Sequence, residues 1–243
     1  MPQKGVESGS RRLTNPVGTL KVVGRPLRGM PSTLVHVAVG GLVGAALLGR
    51  WFDARSVGVA LVAAAVPDLD SFTSTLLPGS HRALFHTLLL PLVLAAVVVY
   101  DTRIRDPERS AIRGRWGTRG VVVAWVGIAA LLCGGIFPDL FTNGVNAFYP
   151  LHDAFYSISG RAELSSTRGF VQTFVELQPA SPPPTTETLH YSTVVDPSPG
   201  AEPENVERIA PLASSGTELM LIVLGAGVVG GRLLSERLRG RAE

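Results

Sequence analysis

The sequence predicts an all-α integral membrane protein of about five hydrophobic helices. Four form a site-bearing bundle, one is C-terminal, and a polar extramembrane insertion has room for a little β-structure. Three observations carry this reading. Charged residues make up 17% of the 243-residue chain and mean hydropathy is +0.29, against about 25% charged in an ordinary soluble domain. Several stretches stay uncharged over the roughly 20 residues that a bilayer-crossing helix needs. The polar remainder is gathered into a basic leader, a short arginine-rich loop and one long acidic region.

Residues 1–29 hold Lys4, Arg11, Arg12, Lys21, Arg25 and Arg28 against Glu7 alone, a local +5. Their Gly, Pro, Ser and Arg content predicts a disordered basic leader. No apolar run or small-residue cleavage site marks a signal peptide. Met30 directly precedes Pro31, a residue suited to the first position of a helix. A start at Met30, with the leader an upstream extension of the gene model, is therefore a second reading. From Met30 onward there are 16 Arg, no Lys and 18 acids, a net −2. That excludes the basic footprint of a nucleic-acid-binding protein, and a single cysteine, Cys133, excludes a disulfide framework or multi-cysteine zinc site.

The membrane domain is predicted over 30–150. Pro31–Gly49 and Gly120–Pro138 each run 19 residues without a charge, and Ala83–Tyr100 runs 18. Ser56–Pro67 is only 12 residues long, a length that fits a re-entrant or shallow, tilted helix. Asp101–Arg119 reads as a loop with six Arg. Residues 151–216 form the polar insertion, with eight acids, three Arg and the run Pro182–Pro184. Within it Phe170–Leu177 alternates in part and pairs most simply with Tyr191–Val195 as a hairpin. Residues 217–243 supply a last helix, Leu219–Leu234, apolar until Arg232, and an Arg-rich tail.

Ionisable groups sit at the ends of these segments. His36 lies in the first turns of the first, and Pro67-Asp68-Leu69-Asp70 closes the second. His81-Arg82-Ala83-Leu84-Phe85-His86 opens the third, and Asp139 follows Pro138 at the end of the fourth. Such groups at membrane depth are costly and mark functional sites. If all four segments cross, these four ends lie on one side of the bilayer. Singly, each group has a bland explanation: a hydrogen-bonded core histidine, a helix stop, a turn beginning before Asn143-Gly144. Together they favour a metal site, imidazole and carboxylate suiting Zn2+, with Mn2+ or Fe2+ less specifically. His36, Asp68, His81, His86 and Asp139 are the expected ligands. His81 and His86 are separated by about 140° on a helix, so both reach one ion only if His81 precedes the helix. His152 and His190 are read as surface residues.

These residues resemble a known family. His36, Pro67-Asp68-Leu69-Asp70, His81-Arg82-x-x-x-His86-Thr87, Asp139-Leu-Phe-Thr-Asn-Gly-Val and Tyr149-Pro150 match, in order and spacing, the YdjM-type inner-membrane metal-dependent hydrolases, also described as LexA-binding. The resemblance covers roughly Met30–Leu151. The family is distantly similar to zinc-dependent phospholipase C, which implies an all-helical fold with His and Asp ligands. One departure stands out: Gly135 occupies the position, four before Asp139, where the family usually carries a histidine.

Under the parity scheme twelve arginines after residue 29 fall on one side and four on the site-bearing side. The positive-inside bias then predicts a multi-pass protein of the cytoplasmic membrane, with the metal site and 151–216 on the outer face. The resulting expectation is a membrane-embedded metal-dependent hydrolase of a phosphoester at the lipid headgroup plane. The substrate class is implied by the phospholipase similarity. Asp70 would orient a histidine or accept a proton from water, and Arg82 would hold a phosphate oxygen by paired hydrogen bonds. The expected partners are the bilayer and a lipid or lipid-linked substrate, with no nucleic acid. The alternative is a catalytically inactive membrane scaffold or regulator that retains part of the site.

Overall fold

The computed structural model describes residues 31–158, 160–174, 182–196 and 208–239; the basic leader, 1–29, lies outside the described residues. The architecture is mostly helical. Helix α1 spans Thr33–Leu47, α2 Ala54–Ala65, α3 Asp70–Thr73, α4 Leu89–Val99, α5 Ala111–Ala130, α6 Phe137–Thr142 and α7 Gly216–Arg239, with strands β1 Ala162–Ser165 and β2 Gly169–Gln172. Among the described residues three helical runs are long and apolar enough to cross a membrane: Ala54–Thr73, Ala111–Thr142 and Gly216–Arg239.

Helix α1 is the hub, packed on α2, α7 and the α5–α6 run. Its glycines let backbones approach closely. A Cβ at Gly40 would stand 2.4 Å from the Ala64 Cβ of α2, and one at Gly134 would stand 2.8 Å from the Gly40 nitrogen. Small residues at helix crossings are how bilayer helices gain contact where no hydrophobic force drives them together. At the other end of α1, Arg232 of α7 donates to the carbonyls of Ala45 and Gly49 and lies over the Phe52 ring at 4.3 Å. A cation there satisfies carbonyls that the helix end leaves open.

Two helical runs extend beyond their apolar stretches. Asp53 caps α2, its carboxylate accepting from the Ser56 nitrogen at 2.8 Å, and it pairs with Arg119 of α5. The run then passes through Pro67 as a 3-10 turn, Val66–Leu69, into α3. The 12-residue segment expected from the sequence is therefore part of a 20-residue run. Likewise α5 begins at Ala111, inside the stretch expected as an arginine loop. Ser110 and Asp101 cap it: the Asp101 carboxylate accepts from the nitrogens of Ala111 at 2.9 Å and Ile112 at 3.0 Å. Those two N–H donors hold the Asp101 carboxyl below its ordinary value.

The third apolar stretch behaves differently. Residues 83–88 are not helical, and α4 starts only at Leu89. The backbone is diverted because Leu88 N and Thr87 Oγ1 both donate to the Ala147 carbonyl, at 2.8 and 3.0 Å. What remains is an 11-residue helix with a five-residue π-turn, Tyr100–Ile104, about 24 Å of axis at most. It is not among the runs long enough to cross.

The insertion also departs from expectation. Its hairpin pairs β2 with β1 in antiparallel register, Leu164 opposite Phe170 and Ser165 opposite Gly169. Tyr191–Val195 forms no strand. A three-residue turn ending at Gly169, φ +67, closes the local pair, and glycine takes that left-handed conformation without a Cβ clash. The insertion is fastened to the bundle. Ile158 N donates to the Leu140 carbonyl at 2.8 Å. Asp153 accepts from Asn146 Nδ2 at 2.6 Å and from the Thr186 hydroxyl at 2.7 Å.

Candidate metal centre

The segment ends singled out above converge. His36 enters at the start of α1, where its backbone nitrogen donates to the Ser32 carbonyl at 3.2 Å. Asp68 comes from the 3-10 turn after α2, Asp70 from the first residue of α3, and His81, Arg82 and His86 from the irregular stretch before α4. Asp139 projects from α6, one turn beyond a π-turn at Leu131–Ile136. An extra residue inserted into a helix re-aims the side chains that follow it.

One nitrogen or oxygen from each of His36, Asp68, His86 and Asp139 lies within 4.8 Å of the other three. His36 Nε2 stands 3.6 Å from Asp68 Oδ1 and 3.5 Å from Asp139 Oδ2. His86 Nε2 stands 3.8 and 2.8 Å from the same two oxygens. Ligands about 2.1 Å from a tetrahedral ion lie about 3.4 Å apart, so the four atoms have the spacing of one small cation's shell.

Their protonation argues the same way. His36 Nδ1 lies 2.7 Å from the Gly134 carbonyl, and His86 Nδ1 lies 2.8 Å from Asp70 Oδ2. Oxygen atoms that only accept require the proton on Nδ1, so each neutral ring turns an Nε2 lone pair toward carboxylates. Both Nε2 atoms are buried, and their near neighbours are carboxylate oxygens, Asp139 Oδ2 coming to 2.8 Å of His86 Nε2. With neutral rings, three carboxylates, Asp68, Asp70 and Asp139, gather where the Arg82 guanidinium, paired with Asp139, supplies a positive charge. A divalent cation would balance the remaining negative charge and meet both lone pairs. The donor set fits a metal ion of the zinc class.

Asp70, fully buried, does not face the four atoms. It accepts from His81 Nδ1 at 2.8 Å, His86 Nδ1 at 2.8 Å and the Arg82 backbone nitrogen at 2.9 Å. His81 therefore stands beside the cluster, its ring 6.0 Å from that of His86 and its Nε2 without a partner. Thr33 Oγ1 donates to Asp68 Oδ2 at 2.5 Å, leaving Oδ1 to the imidazoles.

Arg82 has φ +62, a left-handed conformation that costs a non-glycine residue about 1–3 kcal/mol. Asp70 holds its N–H, and Asn146 N donates to its carbonyl at 2.8 Å. Its Nη2 donates to Asp139 Oδ1 at 2.6 Å, its guanidinium lies over the Tyr191 ring at 4.6 Å, and its Nε and Nη1 are buried and unpaired. Tyr191 is fixed in turn by its hydroxyl, which donates to the Asn143 carbonyl at 2.8 Å. Burial pushes that phenol up from its ordinary value, Arg82 opposing.

Sequence reasoning missed Tyr191, Asn146 and the Gly134 carbonyl. Neither Tyr191 nor a backbone carbonyl carries a local signal, and Asn146 has one only through its position after Asn143-Gly144. His152 is exposed as expected. His190 is not a surface residue: it is half-buried, its Nε2 3.5 Å from Asp196 Oδ2. A Cβ at Gly135 would stand 2.7 Å from Pro67 Cγ and 2.8 Å from the Ala64 carbonyl, so any larger residue there requires its neighbours to shift.

A helical bundle with bilayer-length apolar helices and an inward-facing His/Asp cluster at one end defines a class of membrane-type proteins with a candidate metal centre. The sequence model of the YdjM inner membrane protein family matches residues 30–193, and the chain belongs to that family. Membership and the three long apolar helices support a membrane location. No curated protein and no solved structure matches the chain.

Proposed function

We propose that the protein is a multi-pass membrane hydrolase that uses a divalent metal ion, zinc above all, to cleave a phosphoester at the lipid headgroup plane. The observation that carries this is the convergence of His36, Asp68, His86 and Asp139 with both imidazole Nδ1 protons already committed. A bound divalent cation supplies Lewis acidity and brings a water's pKa down to about 7, as in known zinc enzymes.

The protein's own groups do the rest. Asp70, with both oxygens taken, orients His86 and His81 rather than accepting a proton. His81, first expected as a ligand, keeps an open Nε2 beside the centre and could add a ligand or handle a proton. Arg82 keeps two unpaired donors, Nε and Nη1, on either side of the Nη2 that Asp139 holds, and a charged N–H of this kind suits a phosphate oxygen. The arginine-rich stretches away from the site favour an outer face for the site and 151–216 under the positive-inside bias. Gly135 does not by itself argue for the inactive scaffold, because His36, Asp68, His86 and Asp139 bring four ligand atoms together without it.

The test is release of phosphorylated headgroup or inorganic phosphate from phospholipid and lipid-linked phosphoesters by the purified protein in nanodiscs. Turnover should require a divalent cation and fall at least about a hundredfold in Arg82→Ala. Metal-loaded protein inert on every phosphoester offered would favour the scaffold instead.

A further inference from the structure

A cavity of about 670 Å³ opens beside the candidate centre, with Asp68, Asp139, His81 and Arg82 at its polar floor. Its walls are of another kind. Leu69 and Phe72 line one side, at 50% and 59% exposure, and Val194 and Ile209 line the other, at 40% and 63%. The second wall is anchored. Arg208 Nη1 donates to the carbonyls of Val194 and Val195, each at 2.9 Å, and Ser32 Oγ donates to the Leu212 carbonyl at 2.6 Å. Large apolar side chains left open around a charged floor mark a binding surface. The floor accounts for an anion: Arg82, itself 1% exposed, is among the lining residues and carries two donors, Nε and Nη1, without a partner. The walls are left without an occupant by a phosphate alone.

We propose that the cavity takes a phosphoester bearing an alkyl or isoprenoid chain, its phosphate on Arg82 and its chain along Leu69, Phe72, Val194 and Ile209. This rests on the phosphoester-hydrolase reading of the same site and says what that reading leaves open, which part of the substrate is selected. Val194 and Ile209 lie beyond the stretch matched by the family, which ends at 193.

The test is calorimetric titration of zinc-loaded protein in a maltoside detergent with inorganic, ethyl, butyl and hexyl phosphate. Affinity should rise about two- to fourfold for each methylene that enters the apolar wall. In the double variant Val194→Ser/Ile209→Ser the ratio of hexyl to inorganic phosphate affinity should fall about tenfold or more. Phe72→Ser, on the opposite wall, serves as the second probe and should also compress the series. Equal affinity across the series in the wild-type protein, with inorganic phosphate bound, would overturn the chain-selecting wall and leave the hydrolase reading standing. An unchanged ratio in both variants would do the same. No binding of inorganic phosphate at all would overturn the phosphoester reading, and this proposal with it.

Discussion

Asp70 offers the sharpest perturbation, because its two oxygens have unequal duties. Oδ2 accepts from His86 Nδ1 and from the Arg82 backbone nitrogen, whereas Oδ1 accepts from His81 Nδ1 alone. An asparagine has one oxygen and one amino group. The Arg82 N–H cannot reverse, so the amide oxygen takes the Oδ2 place and the NH2 faces His81. His86 then keeps its Nδ1 proton and its Nε2 lone pair for a metal, while His81 is forced into the other tautomer. Asp70→Ala removes every acceptor and leaves both rings free to turn. Loss of an outer partner to a metal-binding histidine typically costs 10–100-fold in affinity. We therefore expect Asp70→Asn to weaken zinc binding by about tenfold, about 1.4 kcal/mol, and Asp70→Ala by about a hundredfold. Competition for zinc against a chelating fluorophore, in detergent, measures both. Wild-type affinity in both variants, or Asn weaker than Ala, would refute the reasoning.

Other expectations follow from single contacts. Gly135→His should destabilise the protein by about 1–3 kcal/mol through overpacking against Pro67 and Ala64; thermal unfolding in detergent would detect the reverse. Tyr191→Phe keeps the ring beneath Arg82 and loses one hydrogen bond, worth about 0.5–1.5 kcal/mol, so Tyr191→Ala should lower the unfolding temperature clearly more. Burial pushes the Asp153 carboxyl up, but the Thr186 hydroxyl and N–H and the Asn146 amide outweigh it and hold it below its ordinary value. A depressed folded value means that its stabilisation is present above the unfolded pKa of about 3.9 and is lost as pH falls through the folded one. Proteolysis of the 151–174 region should accelerate over that acidic window, and Asp153→Ala should abolish the change. In a Cys133→Ser background, a cysteine replacing Ser166 in the hairpin turn should react with an impermeant thiol reagent from outside intact cells. Labelling only from the cytoplasmic side would reverse the topology.

Much of the site was legible because its residues break a strong background: His36, Asp68, His86 and Asp139 stand out at the ends of apolar runs, where an ionisable group demands a reason, and the structure brings those ends together. The division of labour inside Pro67-Asp68-Leu69-Asp70 was not legible. It depends on the 3-10 turn that aims Asp68 at the imidazoles and turns Asp70 beneath them. Hydropathy also misjudged element lengths in both directions. It ended the second segment at Pro67, although a tighter turn carries the helical run on to Thr73. It credited Ala83–Tyr100 with a full span, although the first six residues are drawn out of helix by Ala147. Tyr191 and the Gly134 carbonyl reach the site from far along the chain, and no local pattern announces a contact of that range.

The central claim is that four side chains hold a metal ion. The most direct measurement is metal content by elemental mass spectrometry of purified wild-type protein beside His86→Ala and Asp68→Ala. The account predicts about one divalent ion per chain in the wild type, as a single four-ligand shell requires, and its loss in both variants. Unchanged stoichiometric metal in both would contradict it.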